Sequence, residues 1–178
     1  MNESDKLKLL EESIRNIPDF PKKGIQFKDI TTALKVPELL KFTVDYITDF
    51  YKAKNITKVA AIESRGFIIG GAVASALGAG FVPIRKKGKL PAETYSVTYA
   101  LEYGEDTLEV HTDALTKDDI VLLHDDLLAT GGTTLASIDL INKFRVNKIY
   151  LNFIVELDFL NGRTKIGKGF DIFTLVHF

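Results

Sequence analysis

Val121-Leu122-Leu123-His124-Asp125-Asp126-Leu127-Leu128-Ala129-Thr130-Gly131-Gly132-Thr133-Thr134 decides the reading of this chain. An apolar, strand-like run ends in two adjacent carboxylates. A loop of small residues follows and opens a helix. In open α/β sheets, ligands bind at the carboxyl ends of strands. The loop from Ala129 to Thr133 can turn several backbone N–H groups toward one point, and Gly131 and Gly132 remove side chains that would block approach. Thr130, Thr133 and Thr134 add hydroxyl donors, and the helix N-terminus adds a partial positive charge. Together these form a phosphate cradle. A helix start with threonine caps and a glycine turn accounts for the loop alone. It leaves the paired aspartates unexplained. No Gly-x-x-x-x-Gly-Lys-Ser/Thr loop and no dinucleotide-binding glycine fingerprint is present.

Outward from this stretch, the hydrophobic pattern alternates between strand and helix. Leu7, Leu10, Ile14 and Ile17 predict a helix over 4–16, ended by Pro18 and Pro21. Ile25-Gln26-Phe27-Lys28 alternates like a short strand. Pro37 starts a second helix with a buried stripe of Leu39, Leu40, Thr43, Tyr46, Ile47 and Phe50. Val59–Ile62, Gly80–Ile84, Ile120–Leu123, 148–157 and 172–176 read as strands. Helices are expected over 67–77 and 133–144, the latter with Leu135, Ile138, Ile141 and Phe144 inward. The fold expected is α/β, a mostly parallel twisted sheet with helices on both faces. Between about 86 and 106 lies a polar excursion with Gly88, Pro91 and Gly104 and strand character over Thr94–Tyr99. A segment of that kind reads as a hairpin lid.

At 178 residues the chain has the length of one domain, and 46% hydrophobic with 26% charged residues excludes disorder. The net charge of -1 gives no electrostatic pull toward nucleic acid or an anionic membrane. With no cysteine there is no disulfide, thiolate nucleophile or cysteine metal site, and a cytoplasmic location is expected. The polar N-terminus is unlike a signal peptide. Phe67 to Ile84 is uncharged, but its glycines and Pro83 favour a helix, a turn and a strand over a membrane span.

The stretch from strand to Ala-Thr-Gly-Gly-Thr resembles the phosphoribosyl pyrophosphate signature of type I phosphoribosyltransferases. Pro18-Asp19-Phe20-Pro21, Gly24-Ile25, Phe27-Lys28-Asp29-Ile30, Glu63-Ser64-Arg65-Gly66-Phe67, Arg85-Lys86-Lys87-Gly88-Lys89-Leu90-Pro91 and Leu101-Glu102-Tyr103-Gly104 fall in the order of the adenine-specific branch. That resemblance covers about residues 13–160 and implies transfer of phosphoribose from 5-phosphoribosyl 1-pyrophosphate to adenine, a purine salvage step giving AMP and pyrophosphate. It implies that Ala129, Thr130, Gly131, Gly132 and Thr133 hold the 5′-phosphate and that Asp125 and Asp126 flank the ribose hydroxyls. Ser64 and Arg65 would face pyrophosphate across a cis Ser64–Arg65 peptide, and Lys86 or Lys89 would reach it when the lid closes. Glu102 is the implied general acid on the purine, with Arg65 its catalytic companion. Gln26, Phe27 and Lys28, in a small N-terminal hood over about 1–35, would read and stack the base. Magnesium is implied only as a companion of the substrate, and a homodimer is implied.

Some positions keep bland alternatives. Arg65 alone would cap a surface turn, Phe27 would be core, and Arg85–Lys89 would be a solvated face. Two departures from the family pattern stand out: Lys23 where proline is frequent, and His124 where an aliphatic is usual. His111 and His177 lack clustered partners in the sequence, so no metal site is expected. A relative acting on 6-oxopurines would carry aspartate where Ala129 stands, which favours adenine. A phosphoribosyl pyrophosphate sensor would need a DNA-binding module, and fewer than about 20 residues precede the hood, too few for one.

Overall fold

The computed structural model describes residues 2–20, 23, 26–100 and 104–178. The first helix, α1 (Glu3–Ser13), starts in a capping box between Asn2 and Asp5. It ends before the expected 16, because Arg15–Pro18 forms a strand, β1, antiparallel to β2 (Gln26–Asp29). Arg15 closes that ribbon on Asp29 at 2.5 Å. The Thr31 hydroxyl and then Arg15 hold the Asp29 carboxyl down at about 2. A short α2 (Thr31–Leu34) leads to α3 (Pro37–Tyr51), which buries Leu39, Thr43, Ile47 and Tyr51. Phe50, expected inward, is 48% exposed and stacks on Phe173 at 3.9 Å.

The main sheet has seven strands. They are β3 (Lys58–Ile62), β4 (Gly80–Lys86), β5 (Thr94–Ala100), β6 (Glu105–His111), β7 (Ile120–Leu128), β8 (Lys148–Glu156) and β9 (Asp171–His177). Their order is β5-β6-β4-β3-β7-β8-β9. Strands β4, β3, β7, β8 and β9 run parallel, while β5 and β6 form an antiparallel arm added at the β4 edge. Helices α4 (Gly66–Leu77), α5 (Gly132–Asn142) and α6 (Gly162–Ile166) complete the layers. One core packs α1, α3 and α4 against Leu122 and Ile154. The other packs α5 and α6 against Val121, Leu123 and Phe153. The doubly covered sheet explains why its central strands read as unbroken apolar runs. In α5 the buried side is Ala136, Ile138, Leu140 and Ile141, while Leu135 and Phe144 are only partly covered.

The uncharged run from Phe67 divides at Gly78, which has φ 67, into α4 and β4. Among the described residues, no helix is long and apolar enough to cross a membrane. α4 lies close on β3 because Gly70 has no side chain: a Cβ there would stand 2.7 Å from the Ala61 Cβ.

Candidate active site

A cleft of about 320 Å³ opens at the carboxyl ends of β3 and β7. It is lined by Glu63, Ser64, Arg65, Lys86, Tyr99, Asp106, Asp125, Asp126 and Thr133, with Ile62 and Leu108 at its base. Asp125 and Asp126 lie inside β7 rather than after it, since that strand runs on to Leu128. Asp126 is 4% exposed, and the Arg65 Nε donates to its Oδ2. Asp125 Oδ1 accepts the Asp126 N–H at 2.9 Å. Withdrawal from water, then the neighbouring Asp126 charge, pushes the Asp125 carboxyl well above the usual carboxylate range. Gly66, first residue of α4, brings that helix start against the same strand end: a Cβ would lie 3.1 Å from Asp125 Oδ1.

The loop after β7 turns on Gly131, whose φ of 80 is in the region that favours glycine. It lies at the N-terminus of α5, whose first turn carries no acidic residue. Thr133 reaches the cleft, and its hydroxyl donates to the Tyr99 hydroxyl at 3.3 Å. The loop leans on α6, since a Cβ on Gly131 would stand 3.0 Å from the Gly162 carbonyl.

After β3, the Glu63 N–H still bonds the Ile84 carbonyl at 2.9 Å. The chain then leaves the sheet through a cis Glu63–Ser64 peptide. This corrects the expected Ser64–Arg65 position by one link: the cis bond falls at the first peptide beyond the ladder. Arg65 stands at the N-cap position of α4, but its side chain makes no capping hydrogen bond there. Its guanidinium lies 5.0 Å from the centre of the Phe27 ring. Phe20 meets Phe27 edge-on at 5.2 Å. Phe27 is partly buried and meets the cleft residues through Arg65.

Other expected residues sit differently. Gln26 is exposed and accepts from Asn16 Nδ2 at 2.7 Å, and the Lys28 ammonium lies 3.7 Å above the Phe178 ring. Lys86 lines the cleft, whereas Lys89 contributes its carbonyl to Arg85 at 3.2 Å. Glu102 lies outside the described residues. Tyr99 and Asp106 were not singled out as site residues, yet both line the cleft. They face each other in register across the arm. His177 does have acidic neighbours, because β9 places it beside Glu156 of β8 and near Asp158. Arg163 already holds Glu156, at 2.6 and 2.9 Å, so a cation occupies that cluster.

The acid pair of β7, the start of α5 and the Arg65 turn meet in one cleft, and the family described as "Phosphoribosyl transferase domain" matches residues 29–159, which makes the chain a phosphoribosyltransferase by class. An adenine phosphoribosyltransferase of Phocaeicola vulgatus is 54% identical over 167 residues, covering 94% of this chain and 96% of its own length. The crystal structure of the Rhodothermus marinus adenine phosphoribosyltransferase superposes with a TM-score of 0.94 at 46% identity, over 99% of this chain and 100% of that one. The Giardia lamblia enzyme complexed with 9-deazaadenine gives 0.93 at 45% identity, over 97% of each chain. The chain belongs to the adenine phosphoribosyltransferase family.

Proposed function

We propose that this cleft joins adenine to the ribose of 5-phosphoribosyl 1-pyrophosphate, releasing pyrophosphate and forming AMP. The observation that carries this reading is the Asp125–Asp126 pair of β7, sharing one cleft with Arg65 and with Thr133 of the α5 start. The loop Ala129–Thr133 would hold the 5′-phosphate through backbone N–H groups and the Thr133 hydroxyl. The bond from ribose C1′ to pyrophosphate oxygen breaks, and its electron pair leaves with pyrophosphate. The oxocarbenium-like ring is steadied by Asp125 and Asp126. A purine nitrogen then bonds to C1′, and the proton it displaces passes from the imidazole edge to Glu102.

Arg65, Ser64 and Lys86 would receive the pyrophosphate, with Lys89 near the arm's root. Phe27 would offer the base an aromatic face to stack on; Gln26 and Lys28 would flank it. Magnesium would arrive with the substrate and neutralise pyrophosphate charge. The hard oxygens of Asp125 and Asp126 suit it as supplementary ligands. Large apolar side chains left exposed on α4 and β4, Ile68 at 49% and Phe81 at 40%, favour a homodimer. 5-Phosphoribosyl 1-pyrophosphate and AMP are phosphorylated and do not cross membranes unaided, which favours a cytoplasmic enzyme. We assign the hood to about 1–35 and the lid to about 86–106.

Free bases incubated singly with 5-phosphoribosyl 1-pyrophosphate and magnesium should yield nucleotide from adenine. Product from hypoxanthine with none from adenine would overturn the assignment. Glu102→Gln should lower turnover roughly 10²–10⁴-fold with substrate affinity nearly kept, and a change under about threefold removes Glu102 from its role.

A further inference from the structure

Three cations at the cleft are each held by a carboxylate: Arg65 by Asp126, Arg85 by Glu63 at 2.7 Å, and Lys86 by Asp106 at 3.0 Å. The third pair differs from the others. Asp106 belongs to β6, one pair from the Ala100–Glu105 end of the arm, and the proposed reaction gives it nothing to do. Its Oδ1 accepts the Thr107 N–H at 2.9 Å, which fixes the carboxyl and leaves Oδ2 for Lys86. The hydrogen bond to Asp106 is the main reason the Lys86 ammonium holds its proton more firmly than usual.

The pair is easily opened. Lys86 is 58% exposed and Asp106 21%, so water screens their attraction. Lysine is a point charge on a flexible stem, able to swing between acceptors without breaking a planar fork. Both residues line the cleft that carries Ser64 and Arg65. An entering anion of higher charge therefore competes with Asp106 for the same ammonium.

We propose that Asp106 is a stand-in for pyrophosphate: it holds Lys86 while the cleft is empty, yields it to pyrophosphate, and recaptures it on release. Asp106 is thus a positioning residue that acts through Lys86 and sets how tightly pyrophosphate is held. The inference rests on the reading of this cleft as the pyrophosphate site.

The test is titration of the full chain with pyrophosphate and magnesium, in wild type, Asp106→Asn, Lys86→Gln, the double variant of these two, and Arg65→Gln. Asp106→Asn should tighten binding about threefold to tenfold. The gain should shrink in about 0.5 M salt, where exposed charges are screened. In the Lys86→Gln background it should disappear. Unchanged or weaker binding by Asp106→Asn overturns the proposal, because the carboxylate then assists rather than competes. An equal gain in both backgrounds also overturns it, since Asp106 would then repel the ligand directly. If Lys86→Gln and Arg65→Gln both leave pyrophosphate affinity untouched, the reading of the cleft itself fails. Weakening by those two with no gain from Asp106→Asn leaves that reading standing and sinks only the stand-in.

Discussion

Asp125 and Asp126 are adjacent in the chain but differ in charge environment. Asp126 has the Arg65 guanidinium, whereas Asp125 has one backbone N–H and a like-charged neighbour. The raised Asp125 value means that the folded protein binds this proton more tightly than the unfolded chain does, whose value is near 3.8. Stability from this group is therefore full at acid pH and is lost as pH rises through the folded value. Ionisation of this carboxyl opposes folding, and a cationic ribose would relieve that cost. Asp125→Asn should raise the melting temperature by about 2–4 °C at pH 7. The gain should shrink toward acid, and affinity for 5-phosphoribosyl 1-pyrophosphate should fall by about tenfold or more. Melts at acid and neutral pH, with one binding titration, check this; a lower melting temperature at neutral pH contradicts it.

The loop between β7 and α5 owes its shape to an element distant in sequence. Gly162, at the start of α6, lies so close to the loop that a Cβ there would collide with the Ala129 carbonyl, a backbone group unable to rotate away. Gly162→Ala should therefore move α6 or the loop, costing about 1–3 kcal/mol of stability and weakening AMP binding about tenfold or more. Chemical unfolding and AMP titration read both, and wild-type affinity would show that α6 does not brace the cradle. The strand, the acid pair and the loop that opens α5 were legible in the sequence because their signals are local: an apolar run, two acids, two glycines. Strands β1 and β6 were not, since Arg15–Pro18 has no apolar run and Glu105-Asp106 opens β6 with charge. Each exists through its partner strand. The same reason hid Asp106 and Tyr99, which become site residues only when the arm pairs. Helix α3 and the parallel strands were legible because burial imprints a period on them, although Phe50 found an aromatic partner at the surface instead of the core.

Across the molecule, a polar row interrupts the centre of an otherwise apolar sheet. Asn152 Nδ2 donates to the Phe173 carbonyl at 3.1 Å, which leaves its Oδ1 facing His124 Nδ1 at 2.7 Å. His124 Nδ1 therefore carries the proton, and its buried Nε2 has no hydrogen-bond partner. Burial pulls the imidazole down to about 4, from 6.5. The unfolded chain takes up this proton first, so the stability concerned is complete above about 6.5 and drains away as pH falls toward 4. His124→Leu should cost about 1–3 kcal/mol at neutral pH by orphaning Asn152 Oδ1, yet flatten the decline toward acid. Adding Asn152→Leu should recover most of that loss. Urea unfolding across pH decides it, and an undiminished acid slope in the single variant would exclude His124 as its source. At the sheet's margin, β5 reads Thr-Tyr-Ser-Val-Thr-Tyr-Ala, with no charge and one edge unpaired in the sheet. Such a margin is a template on which another chain can add itself. Lys87, Lys89 and Glu93 before it and Glu105 and Asp106 after it act as gatekeepers. Neutralising them for the sake of tighter ligand capture would therefore also erode the protein's resistance to aggregation.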